Sequence, residues 1–174
     1  MAILARTELL RLIHKGEIKI QPFSEDQVGP ASIDLTLGDE FRTFKKARSI
    51  LHAKPNFKVP INDITEKHTI SEGEYFLLLP QESVHGITRE KITFSDNICG
   101  WIQGRSSFAR IGLMVHITAS FIQPGSNNRQ VLEIFNVAPI PIALYPGTRI
   151  CHIILEKSLG TGKYEGRYKT QETL

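Results

Sequence analysis

Leu113-Met114-Val115-His116-Ile117-Thr118-Ala119-Ser120-Phe121-Ile122 and Val131-Leu132-Glu133-Ile134-Phe135-Asn136-Val137 are two apolar, β-branched runs held apart by the punctuation Pro124-Gly125-Ser126-Asn127-Asn128. Runs of this kind, broken by Pro, Gly, Ser and Asn, read as strands joined by a turn. The pattern repeats outward. Glu74 to Leu79 and Ile98 to Ile102 precede it, Thr148 to Leu155 follows it, and Ser95-Asp96-Asn97 and Tyr145-Pro146-Gly147 supply further turns. Nearer the N-terminus, Pro30 to Gly38 alternates, with Ile33, Leu35 and Leu37 on one face and Ser32, Asp34 and Thr36 on the other. That polar face is open to two readings, plain solvent or a contact between subunits. Short strands with regular punctuation predict a mainly β fold, a barrel or a jelly-roll sandwich.

The remaining segments are fewer. Residues 4 to 15 place Leu9, Leu10, Leu12 and Ile13 at helical spacing, and Gly16 stands where a C-cap glycine belongs, so a short N-terminal helix is expected. Ile18 to Phe23 reads as a short strand running into a loop. Residues 43 to 70, with Pro55 and Pro60, read as an irregular surface excursion. The polar segment Thr161 to Leu174, with Tyr164 and Tyr168, reads as a tail that is ordered only if something holds it.

At 174 residues and 41% hydrophobic, the chain suits one domain with a sizeable core. The formal net charge of +3 comes from scattered lysines and arginines, which argues against a polynucleotide partner and for a small anion. No apolar run is long enough to span a membrane, and Arg6 and Glu8 sit inside the first amphipathic pattern, so a cytoplasmic protein is expected. Cys99 and Cys151 stand without partner spacing and are expected in the core.

Two places carry chemistry. Gly104-Arg105-Ser106-Ser107-Phe108-Ala109-Arg110-Ile111-Gly112-Leu113 reads as one short helix between turns, N-capped by Ser106 or Ser107 and left through Gly112. Ser106 and Arg110, four apart, share a face beside unpaired helix-start N–H groups. This is an anion site or a capped surface turn with a solvated arginine. Glu133 sits in a strand whose two faces are both largely apolar, which predicts a raised pKa and a proton carrier near neutrality; the alternative is a structural carboxylate paired with an arginine such as Arg110. His116 and His152, each alone on its strand, read as satisfied core histidines. No His-x-Glu, Pro-Cys-x-x-Cys or His-x-x-x-His is present, nor a phosphate loop or dinucleotide fingerprint.

Taken together, these motifs resemble the dCTP deaminases of the trimeric dUTPase-like superfamily. The decapeptide from Gly104 to Leu113 carries most of the resemblance. Val115-His116-Ile117-Thr118-Ala119, Ile122, Pro124, Gly125 and Glu133 follow at the family's spacing, and Pro30 to Leu35, Leu144 to Gly147 with Arg149-Ile150, and Tyr164-Glu165-Gly166-Arg167-Tyr168 with Gln171 add to it. The resemblance implies a dUTPase-like distorted β-barrel or jelly roll over residues 1–160, with one short helix at the phosphate site and residues 161–174 as a tail closing over the nucleotide. It implies metal-free hydrolytic deamination of dCTP to dUTP and ammonia on a homotrimer with sites between subunits, Mg2+ arriving with the triphosphate, no zinc, and dTTP as an inhibitor. Glu133 would be the proton carrier, Ser106 and Arg110 would help to form the catalytic site, and the backbone at Ala119 would position the water. Nucleotide contacts would come from Arg105, Ser106, Ser107, Arg110, Gln123, Val131, Leu132, Glu133, Tyr164, Arg167 and Gln171.

The chain departs from the family pattern in three places. Gln123 replaces the usual Asp before Pro-Gly, and an amide cannot serve as the base that members cleaving the triphosphate need. Arg167 replaces the usual Lys of the tail. Ser126-Asn127-Asn128 lacks the usual aromatic residue and glycine, with asparagine able to take a left-handed turn position. Besides the deaminase, two rivals remain: a bifunctional enzyme continuing to dUMP and diphosphate, or a plain dUTPase; and a nucleotide-binding homologue with weakened catalysis.

Overall fold

Alternating burial along two long strands sets the centre of the molecule. The computed structural model describes residues 2–46, 50–58 and 60–174. Helix α1 (Arg6–His14) leads to strand β1 (Ile18–Gln21), a 3-10 turn at Glu25–Gln27 and the long strand β2 (Ile33–Phe44). A helical turn α2 (Ile61–Ile64) precedes β3 (Thr65–Thr69), β4 (Phe76–Leu78) and a second long strand, β5 (Ser83–Phe94). Then come β6 (Ile98–Gly104), the one-turn helix α3 (Ser106–Ala109), β7 (Leu113–Met114), β8 (Phe121–Ile122), β9 (Asn127–Asn136), β10 (Ile142–Leu144) and β11 (Arg149–Lys157).

The strands pair in the order β7-β9-β5-β2-β11-β6-β8, with β1 added to β5 and β3 to β2, while β10 pairs with β4 apart from them. All pairings are antiparallel. β7 and β8 are the two ends of this path, yet only Val115 to Ser120 separates them in the chain. A flat seven-strand path would hold its ends about 29 Å apart at roughly 4.8 Å per strand. The link between Met114 and Phe121 reaches about 24 Å at most. The sheet must therefore curl, and it forms a half-barrel. Register shifts at Leu37/Phe41, Ile87/Lys91 and Arg149/Cys151 supply the bends.

Inside the curl lie Ile33, Leu35, Leu37 and Phe41 of β2, Leu132 and Ile134 of β9, Ile153 and Leu155 of β11, and Leu9 and Leu12 of α1, all fully buried. Each such side chain contributes about 1.5–3 kcal/mol by leaving water. Cys99 and Cys151 are buried and free, as expected. The polar face of β2 is half-buried at Asp34 and Thr36. Gly16 follows α1 at φ +74°, and Gly112 turns out of α3 at φ +80°, where an added Cβ would also meet the Ala138 Cβ at 2.9 Å.

Several expectations change. Leu113 to Ile122 is two short strands on opposite ends of the sheet, because the segment between them has to cross the open side of the curl. Strand β5, twelve residues long, was not foreseen: Thr88 and Glu90 interrupt its apolar pattern but are buried, Glu90 accepting from Gln27 at 2.9 Å and from the Thr36 N–H at 2.8 Å. The excursion over 43 to 70 contains α2 and β3; its residues 47–49 and 59 lie outside the described residues. The turn after Gln123 takes its left-handed position at Gly125, φ +71°, and Asn127 and Asn128 are already extended strand. No described helix is long and apolar enough to cross a membrane.

Candidate active site

Glu133 stands near the middle of β9, on the face opposite Leu132 and Ile134, so its carboxylate looks out of the core while its neighbours anchor the strand. The crossing segment Val115 to Ser120 passes in front of it. Thr118 donates both its backbone N–H, at 2.8 Å, and its hydroxyl, at 2.7 Å, to one oxygen, Oε2. The Glu133 N–H donates to His116 Nδ1 at 3.4 Å. The carboxylate is fixed on one oxygen and forms part of the wall of a cavity of about 570 Å³.

Burial works to raise the Glu133 pKa, but the Thr118 hydroxyl and N–H, His116 and the Ala119 backbone outweigh it, and the net shift is downward. The raised value expected from an all-apolar strand is therefore corrected for this chain: Val131, Glu133 and Phe135 lie on a half-exposed face, and the crossing segment brings hydrogen-bond donors to it. The alternative pairing with Arg110 does not occur. Among the described residues the Arg110 side chain makes no hydrogen bond or ion pair, and it is exposed. His116 is likewise no satisfied core histidine: it is half-buried, its Nε2 is buried without a partner among the described residues, and it lines the cavity. His152 is half-buried, and burial lowers its pKa against the opposing charge of Asp34.

The cavity also takes in Ala119, Phe121, Gln123 and Val131. The Gln123 side chain is exposed, without a hydrogen bond among the described residues, and the Gln123 carbonyl accepts from the Ser126 hydroxyl at 2.7 Å. Leu132 is fully buried and absent from the cavity lining, so its side chain does not touch a ligand there. The tail contributes to the cavity lining. Tyr164 N–H donates to Pro124 O at 2.9 Å, Asn128 Nδ2 to Tyr168 O at 2.8 Å and Arg129 N–H to Gln171 O at 2.8 Å, which bring Tyr164, Arg167 and Gln171 to the cavity. Further on, Leu174 N–H donates to Glu40 at 2.8 Å and Arg42 donates to Leu174 O at 3.0 Å.

The other group of expected residues lies elsewhere. Arg105, Ser106, Ser107 and Arg110 on and beside α3 are absent from the cavity lining. The helix is capped by Arg105 in extended conformation, with no side-chain cap, so neither serine hydroxyl is used as predicted; Ser106 and Ser107 are both exposed. Arg105 turns away, donating to Arg149 O at 2.9 Å and lying 3.7 Å from Asp34. Within one chain the two groups of expected residues are thus separate.

Sequence reasoning missed Arg42, His85, Thr118 and Arg129. Arg42 and His85 come to Glu133 only through strand register, which no local pattern reveals; Thr118 was visible only as part of a supposed strand. Among the described residues the cavity wall carries Arg42, Arg129 and Arg167 against a single acidic side chain, Glu133, and so suits an anion.

A hydrogen-bonded carboxylate in a cationic cavity, with a short helix flanked by Arg105 and Arg110 apart from it, is the arrangement to compare with known proteins. Residues 3–158 match the family model described as dCTP deaminase-like. The chain is 41% identical over 158 residues to a dCTP deaminase of Rhodospirillum rubrum, covering 88% of this chain and 81% of that protein. It is 38% identical over 157 residues to a dUMP-forming dCTP deaminase of Methanobrevibacter smithii, covering 90% and 80%. In fold it resembles the deoxycytidine triphosphate deaminase structure from Agrobacterium tumefaciens, with TM-score 0.68 at 22% identity, covering 88% of this chain and 47%, about half, of that one. A mutant dUTPase from phage phi11 of S. aureus, solved with a structural Mg(II) ion, superimposes with TM-score 0.50 at 11% identity, covering 86% and 96%. The matched stretch runs from before α1 to the end of β11 and contains Glu133, its crossing segment and α3 alike, so the chain belongs to the dCTP deaminase-like family.

Proposed function

We propose that this chain is a hydrolase that converts dCTP and water to dUTP and ammonia. The observation that supports it most is Glu133, a carboxylate held by Thr118 on one oxygen and facing a cationic cavity. Its lowered pKa keeps it ionised at neutral pH, the state that accepts a proton. In this reading the pyrimidine lies over Glu133 and a water held by the Ala119 backbone attacks C4. Glu133 takes the water's proton and passes it to ring N3. The remaining hydroxyl proton then travels through Glu133 to the exocyclic nitrogen, C4–N breaks, ammonia leaves and a carbonyl remains. A bound base also strips water from the carboxylate, which raises its pKa toward the range where both steps run.

The triphosphate is assigned to Arg105, Ser106, Ser107 and Arg110 of a neighbouring subunit, with the tail residues Tyr164, Arg167 and Gln171 closing over the nucleotide. That division asks for an oligomer, which in this reading is a homotrimer, and the exposed Ile111, Met114, Ile117 and Phe121 support a subunit contact. Among the described residues no three His, Cys, Asp or Glu side chains group as a metal site. Mg2+ in this reading is held by the phosphate oxygens it arrives with. A dUMP-forming second activity has support in the M. smithii relative's name. Gln123 weighs against it, because phosphorus attack needs a base, an amide is none, and among the described residues the lining holds no second acidic side chain.

Incubation with dCTP, dUTP and Mg2+ separates these readings: dUTP and ammonia are expected to accumulate. Rapid dUMP and diphosphate would establish the bifunctional enzyme, and no turnover the inactive homologue. Glu133→Gln is expected to lower kcat by about 10²–10⁴-fold with nucleotide affinity kept within a few-fold, since the amide keeps the shape and loses the proton. Retention of more than about a tenth of wild-type turnover would overturn the role of Glu133.

A further inference from the structure

Strand register lines up three side chains beside the cavity. Arg42 of β2 pairs with His85 of β5, and His85 pairs with Glu133 of β9. Directly opposite residues in an antiparallel pair put their Cβ atoms about 4.5–5.5 Å apart on one face. All three line the cavity. From this geometry we propose that His85 is a positioning residue for Glu133: as the neutral imidazole beside the carboxylate it leaves Glu133 able to take up a proton, and as the cation it pins Glu133 in the ionised form and stops the cycle. The inference rests on Glu133 being the proton carrier.

The surroundings of His85 favour the neutral state. Burial lowers its pKa, the negative charge of Glu133 opposes that, and Arg42 adds to it. Arg42 is 9% exposed; it donates to Thr65 at 3.1 Å and to Leu174 O at 3.0 Å, while its Nε has no partner among the described residues, so its charge is held in place between the strand row and the tail. Phe44 presents its ring at 5.0 Å to His85, roughly edge to face, and fixes the imidazole from the same strand as Arg42. Beyond Arg42 in the row, Lys67 of β3 is drawn off by Glu40 at 2.9 Å. On the far side of Glu133 stands His116, from the crossing segment, and Arg129 of β9 and Arg167 of the tail complete the charged groups of the wall. Among the described residues Glu133 is thus the one negative side chain acting on His85. Coupling between two such groups is reciprocal: whatever the carboxylate does to the imidazole's proton affinity, the imidazole does to the carboxylate's.

The sign follows. As pH falls through the depressed His85 pKa, the imidazolium appears next to Glu133, lowers its proton affinity and reduces kcat. Removing the imidazole takes that cation away and leaves Glu133 to titrate beside His116. The test has two arms on the full chain. The first is the kcat–pH profile of His85→Leu, whose acid limb is expected to move down by about one pH unit, within the range for a charge at this separation. The second is the NMR titration of the imidazoles in the wild type and in Glu133→Gln, with the His85 resonance assigned by its loss in His85→Leu or by selective labelling. Loss of the carboxylate is expected to lower the His85 midpoint by about one unit. An unmoved acid limb, or an unmoved His85 midpoint, overturns the proposal. The NMR arm does not depend on turnover, and it decides the matter should His85→Leu fail to fold. Absence of any deamination would sink the proposed function instead, leaving the measured coupling as it stands.

Discussion

Gln123 accepts and donates hydrogen bonds but carries no charge, and it stands exposed at the cavity beside the turn made by Pro124 and Gly125. If it holds the sugar hydroxyl, that hydrogen bond is worth about 1 kcal/mol, against about 1.5–3 for a carboxylate in its place. Gln123→Asp is therefore expected to lower the dCTP KM about fivefold. The same change places a second carboxylate at the cavity and should permit slow release of diphosphate, read by product chromatography. An unchanged KM would remove Gln123 from the sugar contact. At this scale the sequence was informative where one residue contradicts its surroundings. Glu133 is visible as a carboxyl in an apolar strand, and Gln123 as a neutral group in an acidic position. The sign of the Glu133 shift was not visible, because Thr118 lies fifteen residues away and reaches it only after the sheet has curled.

The tail illustrates what an element contributes without a helix or strand of its own. Residues 161–174 carry little core, yet they are tied to three strands: to β2 through Glu40 and Arg42, to β5 through the Lys91–Glu172 ion pair, and to β9 through Asn128 and Arg129. Burial works to raise the Glu40 pKa, but the Leu174 N–H and Lys67 outweigh it and the net shift is downward; Lys91 lowers that of Glu172. A carboxylate whose pKa is depressed on docking stabilises the docked state above its free value and loses that contribution as pH falls through the depressed one. Acid should accordingly release the tail before the sheet unfolds, so that limited proteolysis between 161 and 174 accelerates below about pH 4.5 while far-ultraviolet dichroism is unchanged. Deleting 161–174 is expected to raise the dCTP KM about tenfold or more and to shift Tm by no more than about 3 °C. A larger fall in Tm would show that the tail is structural. Among the strands, β2 was legible from its alternation, and β1, β6, the second half of β9 and β11 from short apolar runs between turn residues. β5 was not, since its buried Thr88 and Glu90 are satisfied by partners far away in sequence, and a polar residue in a strand looks exposed until its partner is known. The split of β7 from β8 belongs to topology and leaves no local trace.

Over the whole molecule, the cavity that holds Glu133 and the helix that presents Ser106 and Arg110 share no lining residue, although both belong to the site proposed above. A trimer in which each subunit lends α3 to the next would unite them, and light scattering should find three chains per particle. Subunit mixing tests the union itself. Glu133→Gln removes the proton carrier and Arg110→Ala removes the triphosphate contact, so each variant alone is expected to be nearly inactive. When the two are unfolded together in equal amounts and refolded, some interfaces pair an intact Glu133 from the Arg110→Ala chain with an intact Arg110 from the Glu133→Gln chain. With three sites around a cyclic trimer and random assortment, about a quarter of all sites are whole, and about a quarter of wild-type activity should return. Sites built within one chain would stay dead in every mixture, because no assortment could then bring the two intact residues together.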